Sequence, residues 1–247
     1  MTSRLTSALV AVAVLVPGAA LAGGVAPSAA AESPKVRVAA AGKLAAKSPT
    51  VHWNIVTKDK VFFITIDDGW SHQGPALRWV RTSKTPVTSF VTNQAIQGDP
   101  GFFRQFSAFD SVQNHTMTHR ALTGLSDSQR RYEICGPQGR YGKDFGKRPW
   151  MLRPPYGAGY MPKRSSTPLI ESVAASCGIT DILLWNVTVS QGGSISFGSS
   201  SHYRPGDVVL LHFNGDLRAN LRKLVRLYAE HGLKPAPLSQ YLPPPAR

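Results

Sequence analysis

The chain has 247 residues, a formal net charge of +14 and two cysteines. That length allows one large or two small domains with a sizeable core, and two cysteines fit an oxidising compartment. No internal repeat, aromatic-interleaved basic stripe or nucleic-acid motif occurs, so the positive charge points to acidic surfaces such as anionic wall polymers rather than to base recognition.

The first segment, "MTSRLTSALVAVAVLVPGAALAGG", has a basic start, an apolar run and a small-x-small pattern. It reads as a secretory signal peptide within residues 1–31, cleaved after residue 22 or 31. An uncleaved membrane anchor is disfavoured because Pro17 and glycines break a short apolar stretch. Arg4 is the sole charged residue of 1–31, so cleavage leaves +13. Residues 32–58, rich in Ala, Lys, Ser and Pro, read as a linker or N-terminal extension. Residues 59–247 are expected to form a single domain.

Six short apolar runs then recur, and each ends in polar residues. "KVFFITIDDG" ends at Asp67 and Asp68. "TPVTSFVTN" ends at Thr92 and Asn93. "DSVQNHTMTH" ends in His115 and His119, "WMLRPPYG" at Arg153, "TDILLWNV" near Asn186, and "GDVVLLHF" at His212. Such runs predict buried strands. Helical patterns lie between them. "SDSQRRYEI" opens with a capping-box pair, Ser126 and Gln129. "STPLIESVAASCG" has an early proline and a closing glycine. "DLRANLRKLVRLYAEHG" spaces Leu217, Leu221, Leu224 and Tyr228 along one helical face. The alternation predicts an α/β fold with a mainly parallel sheet, whose sites lie at the carboxyl ends of the strands. Cys135 and Cys177 each read as ending a helix before a glycine. A disulfide and two buried thiols are both open.

The chemistry-bearing residues collect at those strand ends. Asp67 and Asp68 are adjacent, so in an extended strand their side chains diverge and take different jobs. His115 and His119 have the spacing of one helical turn, and no glutamate stands between them as a base. Two histidines and one carboxylate leave positions open for water and substrate, which suits zinc and non-haem iron alike. Arg153 stands before two stiffening prolines and can orient a carboxylate through paired hydrogen bonds. A surface arginine in a proline turn is the alternative.

"TIDDG", "HTMTH", "RPPYG" and "LLH", in this order, resemble the motif set of the polysaccharide deacetylases, the NodB-homology enzymes of carbohydrate esterase family four. The resemblance covers roughly residues 58–245 and implies a distorted (β/α) barrel. It implies Asp67 as catalytic base, and Asp68, His115 and His119 as ligands of a divalent metal, usually zinc. Thr116 would order the histidine loop, and Arg153 would pair with Asp67. The backbone N–H of Tyr156 would hold the oxyanion, and His212 would be the general acid. The implied function is a secreted or wall-associated hydrolase that removes acetyl groups from an N- or O-acetylated polysaccharide such as peptidoglycan, a chitin-like glycan or xylan. A monomer is expected, with no nucleic-acid partner and no membrane attachment after cleavage. Four departures stand out: Ile66 replaces a usual Phe, Trp70 replaces a frequent Pro, Phe213 and Asn214 follow His212 where an Asp is frequent (Asp216 is the nearest acid in sequence), and no carboxylate follows Trp185, where Asn186, Thr188, Ser190 and Gln191 occur. The last departure motivates a second reading, a deacetylase fold that binds glycan with weak or no turnover. A non-haem iron oxygenase is a third, resting on ligand type alone.

Overall fold

A computed structural model describes residues 47–161, 167–198 and 202–246. The expected signal peptide and most of the expected linker lie outside the described residues. Among the described residues, no helix is long and apolar enough to cross a membrane.

The elements in chain order are β1 (Thr50–His52), β2 (Val61–Asp68), α1 (Gly74–Ser83), β3 (Thr88–Val91), α2 (Asn93–Ile96), α3 (Pro100–Arg104), β4 (Ser111–Asn114), α4 (Asp127–Phe145), β5 (Met151–Leu152), α5 (Thr167–Ser176), β6 (Asp181–Leu183), β7 (Val187–Val189), β8 (Ile195–Phe197), β9 (Val208–His212), α6 (Leu217–Glu230) and β10 (Lys234–Pro235). The sheet runs β1-β6-β5-β4-β3-β2-β9-β7-β8, with β10 beside β2. Every pairing is parallel except β7 with β8. All six strands expected from the apolar runs are present.

Residues from β2, β3, β5, β6 and β9 meet in one interior cluster that includes Phe63, Phe90, Met151, Leu183 and Val208. Strands this far apart in the order share a core only because the sheet curls around it. Since β1 and β8 remain its two ends, the curl is an incomplete barrel, in line with the distorted barrel expected. Alternation along β2 sends Val61 and Phe63 inward, while Phe62, Ile64 and Ile66 face outward beneath the helices. The strand is buried on both faces, which is why its sequence is a continuous apolar run rather than an alternating one. On α6, Leu217, Leu221, Leu224 and Tyr228 are buried as their spacing predicts, each contributing roughly 1.5–3 kcal/mol by burial. The Tyr228 ring stacks on Phe62, with centroids 3.8 Å apart.

Three boundaries differ from expectation. The packed chain begins before residue 59: β1 pairs with β6 at the sheet edge, and Ile55 is in the core. Its composition hid this, because a three-residue edge strand needs few apolar residues. Close approach of backbone holds the segment. The Ile55 N–H donates to Gly206 O at 2.8 Å. Gly206 has φ +83, and a Cβ there would lie 1.9 Å from Ile55 O. Second, α4 does not stop near Cys135 but runs on through Pro137 to Phe145. Proline removes one helical donor, yet tertiary anchors outweigh that loss. Tyr141 Oη donates to Val91 O, and Gln138 Nε2 to Pro149 O and Cys177 O. Cys135 therefore sits within α4, while Cys177 follows α5, and the two form a disulfide. Third, the β7–β8 hairpin and β10 carry too few residues to stand out in the sequence. The expected caps are present: Ser126 and Gln129 make a reciprocal capping box.

Candidate metal centre and active site

Parallel pairing aligns the site. Asp67 is in register with Phe90 of β3 and His212 of β9, and Asn114 of β4 with Val91 of β3 and Leu152 of β5. The ends of five neighbouring strands thus lie level. Asp67 continues the inward face of β2, following Thr65. Its register partner His212 shares that face.

Asp68 departs from the strand pattern. Its φ is +80, and this turn brings its carboxylate to the histidines instead of letting it diverge. Asp68 Oδ1 lies 3.4 Å from His115 Nε2 and 3.2 Å from His119 Nε2. The two Nε2 atoms are 3.1 Å apart. The histidines do not lie on a helix, although their spacing is that of one helical turn. They sit in a loop after β4, with Thr116 at φ +75 and His119 at φ +64. Thr116 Oγ1 accepts from His119 N at 3.1 Å, so Thr116 does order this loop. Asn114 Oδ1 accepts from Thr116 N at 2.7 Å. The backbone of α2 adds bonds from Asn93 N to Thr116 O and from Gln94 N to Met117 O.

These atoms fit a metal. His115 Nδ1 is 2.8 Å from Arg153 O. A carbonyl can only accept, so Nδ1 carries the proton and Nε2 presents a lone pair. His119 Nδ1 is 3.1 Å from the Tyr156 hydroxyl. Asp68 Oδ1 is buried without a hydrogen-bond partner. Burial pulls the Asp68 carboxyl upward, but the imidazoles of His115 and His119 outweigh it and hold the group well below the usual carboxylate range. An anionic oxygen with no donor, beside a lone-pair nitrogen and a second imidazole, forms a three-ligand Asp/His/His cluster within 4.8 Å. That donor set suits a divalent cation.

Asp67 is held apart from this cluster. Arg153 Nη1 donates to Asp67 Oδ1 at 2.7 Å, leaving Oδ2 turned toward His115, 3.6 Å from its Nε2. Arg153 is 0% exposed, which excludes the surface-arginine alternative. The guanidinium also donates to Thr65 Oγ1, Leu183 O and Leu184 O and lies over the Phe90 ring at 4.4 Å. It gives Asp67 one hydrogen bond, not the paired fork expected, because its other hydrogens are used to fix it to β2, β6 and the chain beyond. Burial pulls the guanidinium's pKa down, and Asp67 opposes that pull.

Tyr156 follows the two prolines at φ +61. Its side chain is exposed, and its backbone N–H has no partner among the described residues. His212 ends β9 beside Asp67 and is half-buried, and its imidazole makes no hydrogen bond or ion pair with a described residue. Asn186, which follows Trp185, has a structural role. Asn186 lies near the start of β9, where its side chain bonds Asp207 Oδ1 and Val208 N. Asp216, the nearest acid in sequence, caps α6 through Ala219 N and is exposed.

Sequence reasoning missed Thr65, Asn114 and Glu133. Glu133 is 1% exposed on α4, and its carboxylate receives both Thr118 N and Thr118 Oγ1. A signal existed: Glu133 occupies an inward position of the stripe Arg130, Glu133, Ile134, Pro137, Gln138 and Tyr141, where an apolar residue is the norm.

The polysaccharide deacetylase family model matches residues 54–181. The chain is 35% identical over 202 residues to a protein of Streptomyces coelicolor, covering 78% of each chain. It is 24% identical over 205 residues to a peptidoglycan-N-acetylglucosamine deacetylase of Bacillus cereus, covering 78% of this chain and 92% of the relative. Among solved structures, a carbohydrate esterase family 4 pseudoenzyme from Bacillus anthracis superposes with a TM-score of 0.66 at 17% identity, covering 79% of this chain and 70% of that one. The likeness to that structure concerns the fold.

Proposed function

We propose a hydrolytic function for this chain, which belongs to the polysaccharide deacetylase family: removal of acetyl groups from an acetylated cell-wall glycan outside the cell. The observation that carries this reading is the division of labour between adjacent carboxylates. Asp68 joins His115 and His119, while Asp67 is held aside by Arg153 with one oxygen still directed at the same space.

The residues then take these roles. Asp68, His115 and His119 would hold a divalent cation, with zinc the first candidate, and this would polarise the acetyl carbonyl and the attacking water. Asp67 accepts the water's proton through Oδ2. Arg153 keeps Asp67 oriented through its hydrogen bond to Oδ1. The unengaged N–H of Tyr156 donates to the oxyanion of the tetrahedral intermediate. His212, on the same inward face, protonates the leaving nitrogen or oxygen. Acetate and a free sugar amine or hydroxyl are the products.

Support for a wall glycan comes from two relatives. One is the Bacillus cereus protein, and the other, 31% identical over 134 residues, is a peptidoglycan-N-acetylmuramic acid deacetylase of Bacillus subtilis. The net charge of +14 suits an anionic wall. A second reading, glycan binding with weak turnover, is favoured by the lack of any described partner for His212. Acetate release from peptidoglycan, chitooligosaccharide and acetylxylan by zinc-loaded protein tests the two readings. Robust release supports hydrolysis, whereas zinc-dependent glycan binding without release supports the alternative.

A further inference from the structure

The residue preceding each histidine of the cluster is gripped by α4, at consecutive helix positions. Asn114, before His115, donates through Nδ2 to Ile134 O at 2.8 Å. Thr118, before His119, donates its N–H to Glu133 Oε2 at 2.9 Å and its hydroxyl to Glu133 Oε1 at 2.5 Å. The next helix residue, Cys135, is tied to Cys177 by the disulfide. Residues 133–135 thus form a bracket between the histidine loop and the α5 side of the fold.

We infer that Glu133 is a positioning residue for the metal-ligating loop, setting His119 for coordination without touching the metal or the substrate. This rests on the reading of Asp68, His115 and His119 as metal ligands.

Two features of the loop make such a clamp necessary. Thr116 and His119 both have left-handed backbone, a conformation that non-glycine residues adopt at a cost and hold only when their surroundings impose it. Glu133 engages both donors of Thr118 between them, fixing the backbone that enters His119. Its own environment points the same way. The carboxylate is buried, and no lysine or arginine pairs with it among the described residues. Among the described residues, both of its oxygens are engaged by Thr118. Removing partners that orient metal ligands typically weakens metal affinity about 10–100-fold.

The test measures zinc affinity by competition with a chromogenic chelator, per folded molecule. The Co2+ visible spectrum reports the ligand field, and circular dichroism of the metal-free protein reports the fold. Glu133→Ala is expected to bind zinc about 10–100-fold more weakly with an altered Co2+ spectrum. Glu133→Gln, which keeps one acceptor, is expected to fall between Glu133→Ala and wild type. Thr118→Val removes only the hydroxyl and decides the matter if Glu133→Ala does not fold; it too is expected to weaken zinc binding. Wild-type affinity and spectrum in folded Glu133→Ala, or in Thr118→Val where that variant decides, would overturn the inference even if wild type binds zinc tightly. Failure of the wild type itself to bind zinc would instead remove the metal reading on which it rests.

Discussion

Arg153 and Asp67 form an ion pair of 2.7 Å inside the curled sheet, where neither side chain is more than 3% exposed. Buried pairs of this kind are costly to break, because removing one partner leaves the other charged and dry. Arg153→Ala is therefore expected to lower unfolding free energy by about 3–5 kcal/mol. Arg153→Lys keeps the charge but cannot reproduce the donors to Thr65, Leu183 and Leu184, so it should also be less stable than wild type. Chemical denaturation checks both, and an unchanged midpoint for Arg153→Ala would contradict the pair's structural weight.

The ligand cluster makes a stoichiometric statement. Wild type is expected to bind one zinc per chain, and His115→Ala and His119→Ala should each lose more affinity than the roughly 10–100-fold typical of an orienting partner. Chelation should abolish acetate release, and adding zinc should restore it. Calorimetric titration with zinc, followed by an activity assay after chelation, reads both outcomes.

The disulfide joins residues 42 apart in sequence. Thiol titration of the unfolded, unreduced protein should find no free thiol. Reduction should lower stability by about 2–4 kcal/mol, measured by denaturation with and without reductant.

At Gly206 a Cβ would meet the Ile55 carbonyl oxygen at 1.9 Å, and its φ is +83. Gly206→Ala is expected to cost more than about 1 kcal/mol, and so to lower the melting temperature by at least about 2–4 °C. The displaced element would be the segment leading from β1 into β2.

Long runs such as "KVFFITIDDG" and "GDVVLLHF" were legible because two buried faces require continuous apolar sequence. The six strands, the α6 stripe and the cap at Ser126 followed from pattern alone. The positions of the ligands did not. Among the described residues, four of the five non-glycine residues with positive φ, Asp68, Thr116, His119 and Tyr156, belong to the site. Residue type announces little of this: Asp and His are enriched at positive φ while Thr and Tyr are not, and tertiary bonds help impose the conformation. His115 and His119 have the spacing of one helical turn, which lets both face one point, yet they converge through a loop with positive-φ residues. Asn186 invited comparison with a missing acid, but its side chain serves Asp207 and Val208 instead. Glu133 lay within the helix expected from "SDSQRRYEI", but the buried stripe it belongs to became visible only with the continuation to Pro137, Gln138 and Tyr141.

The claim that Asp67 and Asp68 divide the work is tested most directly by Asp67→Asn. Zinc content and acetate release from an N-acetylated peptidoglycan fragment would be measured on the same preparation as wild type. The expected result is zinc binding retained through Asp68, His115 and His119, with acetate release reduced by about 100-fold or more, as loss of a general base entails. Acetate release at the wild-type rate from zinc-loaded Asp67→Asn would contradict the assignment.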